Sequence, residues 1–301
     1  MSVWSFDYRP HDRFVAPAKG AAQIWRLCLG IVLAAGFFLV LSQMIFGSLF
    51  QIMGPSAVAA IMADGQTGQT AASMLIRLFQ LGLLAVAASI VVIMVHKRRP
   101  FSLIGDPALA LRQFVAVLVA MLLLTAVIWV LPPYDFGEPL QPNMEFGRWL
   151  LLLPVALVAV LVQSGAEEVF FRGYIQQQLG ARFKSPLLWM LAPAALFGIG
   201  HYLPEGAGSN AWTIVAWATM FGILMADLTA RSGTLGPAIA VHFVNNISAI
   251  ILTSVPDEMS GLALYVLPFG MSDEAQMAAW LPVDFGFLLV SWLVARLAIR
   301  A

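Results

Sequence analysis

A few residues in the second half of the chain have types and spacings that can do chemistry. Glu167 and Glu168 stand side by side in SGAEEVFFRG, which closes the apolar run WLLLLPVALVAVLVQ, and Arg172 follows one helical turn later. His201 ends the apolar stretch LFGIGH, and His242 and Asn246 lie four apart in IAVHFVNNIS. Carboxylates and imidazoles move protons near neutral pH, and a carboxamide donates hydrogen bonds to developing negative charge. Ionisable groups at membrane depth are costly and mark functional sites. Interfacial glutamates at a helix end, or single satisfied core histidines, would explain these residues one at a time but not together.

Helical geometry separates the two glutamates. Glu168 and Arg172 are four apart and meet on one face, a self-neutralising and structural pair. Glu167 points about 100° away, on a face with Phe170, Phe171 and Tyr174, so its partner must come from another helix. His242 and Asn246 share a face of their own helix, with Asn245 as the competing register. The chain has 4 histidines. His11, in a polar N-terminal stretch, and His96, in the basic cluster HKRR, read as solvated.

These residues need membrane helices to hold them. The chain of 301 residues is 60% hydrophobic and only 11% charged, with a mean hydropathy of +0.86. A soluble chain carries roughly 25% charged residues, so the expected fold is an all-α polytopic membrane bundle. Apolar runs long enough for about eight transmembrane helices are Ile24–Met53, Ala72–Val95, Phe114–Leu131, Trp149–Gln163, Leu187–Gly200, Trp212–Leu228, Leu235–Val255 and Ala278–Leu297. The N-terminal stretch is too polar for a signal peptide. Residues 1–23 read as a cytoplasmic segment, 24–131 as three accessory helices, 149–255 as the chemical core and 278–301 as the last helix and C-terminus. The single Cys28 reads as a small buried residue, without disulfide or metal partners.

Loop charge sets the orientation. Arg9, Arg13, Lys19, Arg26, Lys97, Arg98, Arg99, Arg112, Arg172, Arg182, Lys184, Arg231, Arg296 and Arg300 fall on one side. Asp64, Asp135, Glu138, Glu145, Glu205, Asp257, Glu258, Asp273 and Glu274 fall on the other, with Arg148. Both termini are therefore expected in the cytoplasm. Arg77, inside the second span, is expected to snorkel or to pair within the bundle. Glu167 and His201 are 34 residues apart with their midpoint at Lys184, in the turn-like RFKSP. Antiparallel helices joined there bring the two level, roughly 25 Å from the turn. The fourth helix must then continue through YIQQQLGARF, with the hairpin tip in the cytosol. Pro237 suits the first turn of the seventh helix, placing His242 roughly 8 Å below the cytoplasmic end.

The segments EEVFFR, FGIGH and HFVNN, in that order, resemble the EExxxR, FxxxH and HxxxN motifs of the CPBP or Abi family of intramembrane proteases, which includes the type II CAAX prenyl endopeptidases. The resemblance covers residues 149–255. It implies that Glu167 and His201 activate a water, that His242 and Asn246 stabilise the oxyanion, and that Glu168, Arg172 and Phe197 support them. A desolvated glutamate has a raised proton affinity and suits the base role. The resemblance leaves the cofactor open between none and zinc held by Glu167, His201 and His242. Implied partners are a peptide or membrane-protein substrate and the lipid bilayer, with no nucleic acid, in a bacterial inner membrane. A secondary transporter and a non-catalytic scaffold or immunity factor on the same fold are the alternatives. No inverted repeat supports the first, and intact motifs argue against the second.

Overall fold

The structure, a computed structural model of the chain, describes residues 8–65, 67–131 and 139–300. Asp135 and Glu138, counted above among the outer-loop acids, lie outside the described residues. The regular structure of the described residues is helical apart from three two-residue strands. A short helix α1 (Arg9–Val15) precedes α2 (Ile24–Met53) and α3 (Pro55–Asp64). Then come α4 (Ala71–Met94), α5 (Pro107–Val130), α6 (Phe146–Arg182), α7 (Leu187–Ile199), α8 (Ala211–Ser232), α9 (Gly236–Leu252) and α10 (Glu274–Ile299).

Six helical segments are long and apolar enough to cross a membrane: α2, α4, α5, α6, α8 (with the short turn that leads into it) and α10. The helices α7 and α9 are shorter apolar segments. The eight expected runs thus correspond to six helices of spanning length and two short ones. Helix starts follow local chemistry. Thr70, Asp106, Glu145 and Asp273 each accept a hydrogen bond from a backbone N–H in the first turn that follows, which satisfies donors the helix itself cannot.

The fourth apolar run looked short because the helix does not stop where the hydropathy does. Helix α6 continues for 37 residues to Arg182, carrying the glutamates in its interior. Only residues 183–185 separate it from the turn that starts α7. The two run back along each other, so that Phe171 meets Phe197 edge to face with ring centres 5.1 Å apart. Those positions are symmetric about residue 184, as the hairpin expectation requires. Helix α8 packs closely on α7: a Cβ on Gly198 would lie 2.0 Å from Thr219 Oγ1, and one on Gly222 would lie 2.8 Å from Ala194. Glycines at these crossings let the helix carrying His201 sit against the bundle.

The strands β1 (Gln141–Pro142), β2 (Thr253–Ser254) and β3 (Tyr265–Val266) form a small sheet in the order β1-β3-β2, antiparallel then parallel. It ties the segment after α9 to the chain leading into α6. Nearby, burial raises the proton affinity of Glu258, opposed by Arg77, so Arg77 pairs within the protein.

Three expectations are corrected. Cys28 is exposed on α2, because the helix turns that face away from the bundle. His11 and His96 are buried, not solvated. His11 packs on Trp189 with ring centres 4.1 Å apart. His96 contacts Tyr174 Oη at 3.0 Å, Ala21 O at 3.2 Å and the Gln178 amide at 2.6 Å. Docking of the N-terminal segment produces both burials, since it carries His11 onto Trp189 and sets Ala21 against His96. It packs against the same end of α6, α7, α8 and α9, with Gln177 donating to Phe14 O at 2.7 Å and Phe14 and Val15 clustering with Leu235.

Candidate active site

Glu168 closes the regular part of α6, and the next turns, Val169–Gln176, widen to π-helix. Such wide turns are rare and concentrate at functional sites. Glu168 is 0% exposed and Arg172 1%. Arg172 Nη1 donates to Glu168 Oε1 at 2.9 Å, and Nη2 reaches the Gly222 carbonyl of α8 at 3.3 Å. The guanidinium carbon lies 5.1 Å from the centre of the Phe197 ring, a cation–π contact in a dry place. The expected pair is present.

Glu168 has a second task that the helix-face argument missed. Its Oε1 also accepts from His242 Nδ1 at 2.7 Å. That bond fixes the ring orientation and leaves Nε2 as the working nitrogen. Nε2 lies 3.6 Å from Glu167 Oε2. His242 therefore stands between the two glutamates, and Glu167 finds its partner on α9, as its separate face required. Glu168 Oε2 is buried without a hydrogen-bond partner among the described residues.

His201 follows the last turn of α7. Its Nδ1 donates to the Phe197 carbonyl at 2.9 Å, and among the described residues its Nε2 makes no hydrogen bond. The ring of Phe197 touches both histidines, 4.5 Å from the His201 ring centre and 6.2 Å from that of His242. Among the described residues no direct polar contact links His201 to Glu167, Glu168 or His242. Burial divides the site: Glu168 and His242 are buried, whereas Glu167, His201 and Asn246 are half-buried.

Asn246 lies one turn beyond His242, where α9 passes into another wide stretch, Ile247–Leu252. Its Nδ2 donates to Gln163 Oε1 at 2.8 Å. Gln163 was not picked out from the sequence, although it lies four residues before Glu167 and so on the same face. A second missed group is Asp227 on α8. It accepts from Arg231 Nε at 2.8 Å, from Tyr8 Oη at 2.8 Å and from Trp292 Nε1 at 3.0 Å. Arg231 and Arg296, counted by sequence among loop charges, are buried around it. Asp227 was legible as a carboxylate four residues before an arginine, the pattern that singled out Glu168.

The donor set proposed for zinc has suitable chemistry, since each histidine has Nδ1 hydrogen-bonded and Nε2 available. Its spacing does not fit: among the described residues no group of three or more His, Cys, Asp or Glu comes together to hold a metal ion.

Comparison with known proteins agrees with the motifs. Residues 149–248 match the family model "Type II CAAX prenyl endopeptidase Rce1-like". That segment is a domain of this family. The Rce1-like domain holds every motif residue discussed above. The chain is also similar to "Uncharacterized protein YyaK" of Bacillus subtilis (strain 168), 26% identical over 249 residues, covering 78% of this chain and 80% of that protein. No solved structure matches the chain.

Proposed function

We propose that the Rce1-like domain is an intramembrane endopeptidase in which Glu167 is the general base. The observation that carries this reading is the placement of His242, bonded to Glu168 and facing Glu167 at 3.6 Å, with Asn246 one turn away. Glu167 takes a proton from a water that His201 Nε2 helps to hold, as the water oxygen bonds to the scissile carbonyl carbon. The carbonyl oxygen gains negative charge and is met by the Asn246 amide and by His242, once the proton has passed to its Nε2. Collapse breaks the C–N bond, and the same proton goes to the leaving nitrogen. Glu168, Arg172 and Phe197 hold the imidazoles in place. Preorganised donors in a water-poor site are the largest part of such catalysis.

The substrate is a peptide or membrane-protein segment reaching the site from the bilayer. In this reading α7 and α9 complete an eight-helix bundle with both termini in the cytoplasm of a bacterial inner membrane. Activity on CAAX prenyl sequences belongs to the family; the following experiment identifies the substrate of this chain. New N-termini in the membrane proteome of cells expressing the wild type should vanish with Glu167→Gln. Equal sets of N-termini from the two strains would refute protease function.

A further inference from the structure

Gln163 is a polar side chain only 5% exposed, inside the apolar part of α6. Burying a carboxamide there is unfavourable unless its hydrogen bonds are made. Its Oε1 accepts two, from Asn246 Nδ2 at 2.8 Å and from Ser164 Oγ at 3.2 Å. The Asn246 Oδ1 in turn accepts from Asn245 Nδ2 at 3.3 Å. A carboxamide has two N–H donors and one carbonyl. With one donor and the carbonyl engaged, the plane of the Asn246 amide is fixed and one N–H remains.

The terminal torsion of asparagine is broad and nearly two-fold. Asn246 on its own has little intrinsic preference for turning its nitrogen rather than its oxygen in a given direction. The difference matters in the proposed reaction. A nitrogen directed at the developing oxyanion stabilises it, and an oxygen repels it. Gln163 Oε1 is an acceptor placed where it receives the nitrogen of Asn246, and the Ser164 hydroxyl donates to the same oxygen.

We propose that Gln163 is a positioning residue that sets which end of the Asn246 amide serves the oxyanion. The proposal rests on the endopeptidase reading and deepens it. The test uses full-length protein in detergent micelles and a synthetic peptide spanning a cleavage site found in the membrane proteome. Gln163→Met keeps length and removes the acceptor; Gln163→Glu keeps an oxygen acceptor. Gln163→Met should lower kcat by roughly 10- to 100-fold, less than the roughly 100- to 1,000-fold that outright loss of an oxyanion donor costs, with KM unchanged. Gln163→Glu should keep most of the activity. In an Asn246→Ala background, Gln163→Met should have no further effect, whereas a general packing role would lower the rate again. Thermal midpoints of all variants identify any that fail to fold. Gln163→Met within twofold of wild type, independent multiplication of the two losses, or equal damage from Met and Glu would each overturn the proposal. Wild type no more active than Glu167→Gln would instead overturn the endopeptidase reading, and this proposal with it.

Discussion

His242 Nδ1 and Glu168 Oε1 are 2.7 Å apart, and the same oxygen receives Arg172. The carboxylate is therefore shared between a structural partner and a chemical one. Replacing it does two kinds of damage, whereas replacing Glu167 does one.

Glu167→Gln should abolish cleavage and leave the thermal midpoint near that of wild type. Glu168→Gln should lose activity and also stability, because Arg172 is then a buried charge without its counter-ion. Breaking a buried pair costs about 3–5 kcal/mol. The double change Glu168→Gln with Arg172→Met should recover part of the stability and none of the activity. Melting curves and cleavage rates on the four proteins check this; identical behaviour of the two single glutamate variants would contradict it.

Phe197 is buried and packs on Phe171, Phe221 and both site histidines. Phe197→Ala should cost about 3–5 kcal/mol through the cavity it leaves. Phe197→Leu, with less volume lost, should retain more stability while still lowering the rate, since the rings it supports are released. A thermal midpoint unchanged in Phe197→Ala would show the cluster to be loosely packed.

The protein should be destabilised by mild acid through two histidines outside the site. Burial pushes His11 down to about 4, with Asp12 opposing. Burial likewise pushes His96 down to about 4, with Arg98 and Arg26 adding to it and the Ala21 carbonyl opposing. The unfolded chain binds protons on these rings near pH 6.5, and the folded one only near 4. Between those values the unfolded state holds more protons, so stability falls as pH falls. Thermal midpoints should drop from pH 6.5 to 4, and the slope should flatten in His11→Phe with His96→Gln. An unchanged slope would place the acid sensitivity elsewhere.

Activity should survive exhaustive chelation, with zinc far below one per chain, because Glu167, His201 and His242 are not gathered as a ligand set. Stoichiometric zinc, lost together with activity in His201→Ala and in His242→Ala, would make the protein a metalloprotease.

The proposed orientation is tested with single cysteines in a Cys28→Ser background. Lys184→Cys, in the exposed tip between α6 and α7, should react with an impermeant maleimide only after cells are opened. Glu205→Cys, exposed beyond α7, should react in intact cells. The reverse pattern would invert the topology.

Much of this was legible because the relevant signals are local or nearly so. The turn at RFKSP and the equal distances from it fix the α6–α7 hairpin. The four-residue spacing fixes the Glu168–Arg172 bond. Gln163 was not legible: an amide at the end of an apolar run reads as the edge of a span, and its partner is 83 residues away. His11 and His96 misled for the opposite reason. Their neighbours in sequence are charged, while their neighbours in space are Trp189, Tyr174 and the Ala21 backbone. The helix-face argument separated the glutamates correctly but could not show that one oxygen of Glu168 serves two cations or donors, because that depends on where α9 crosses α6.

The N-terminal segment docks on helices that are synthesised long after it. Tyr8 bonds to Asp227, which lies 219 residues later, and Phe14 O receives Gln177, 163 residues later. At about 5–20 residues per second, roughly 10–45 s pass between the synthesis of Tyr8 and that of its partner. Helix α1 has only 7 residues, too few to persist alone in water. During that interval its partner on α8 has not been made, so it cannot dock there. Docking of this segment therefore waits for α8, and an alteration that hinders it would leave Asp227 without the Tyr8 hydrogen bond while the helices themselves are already inserted.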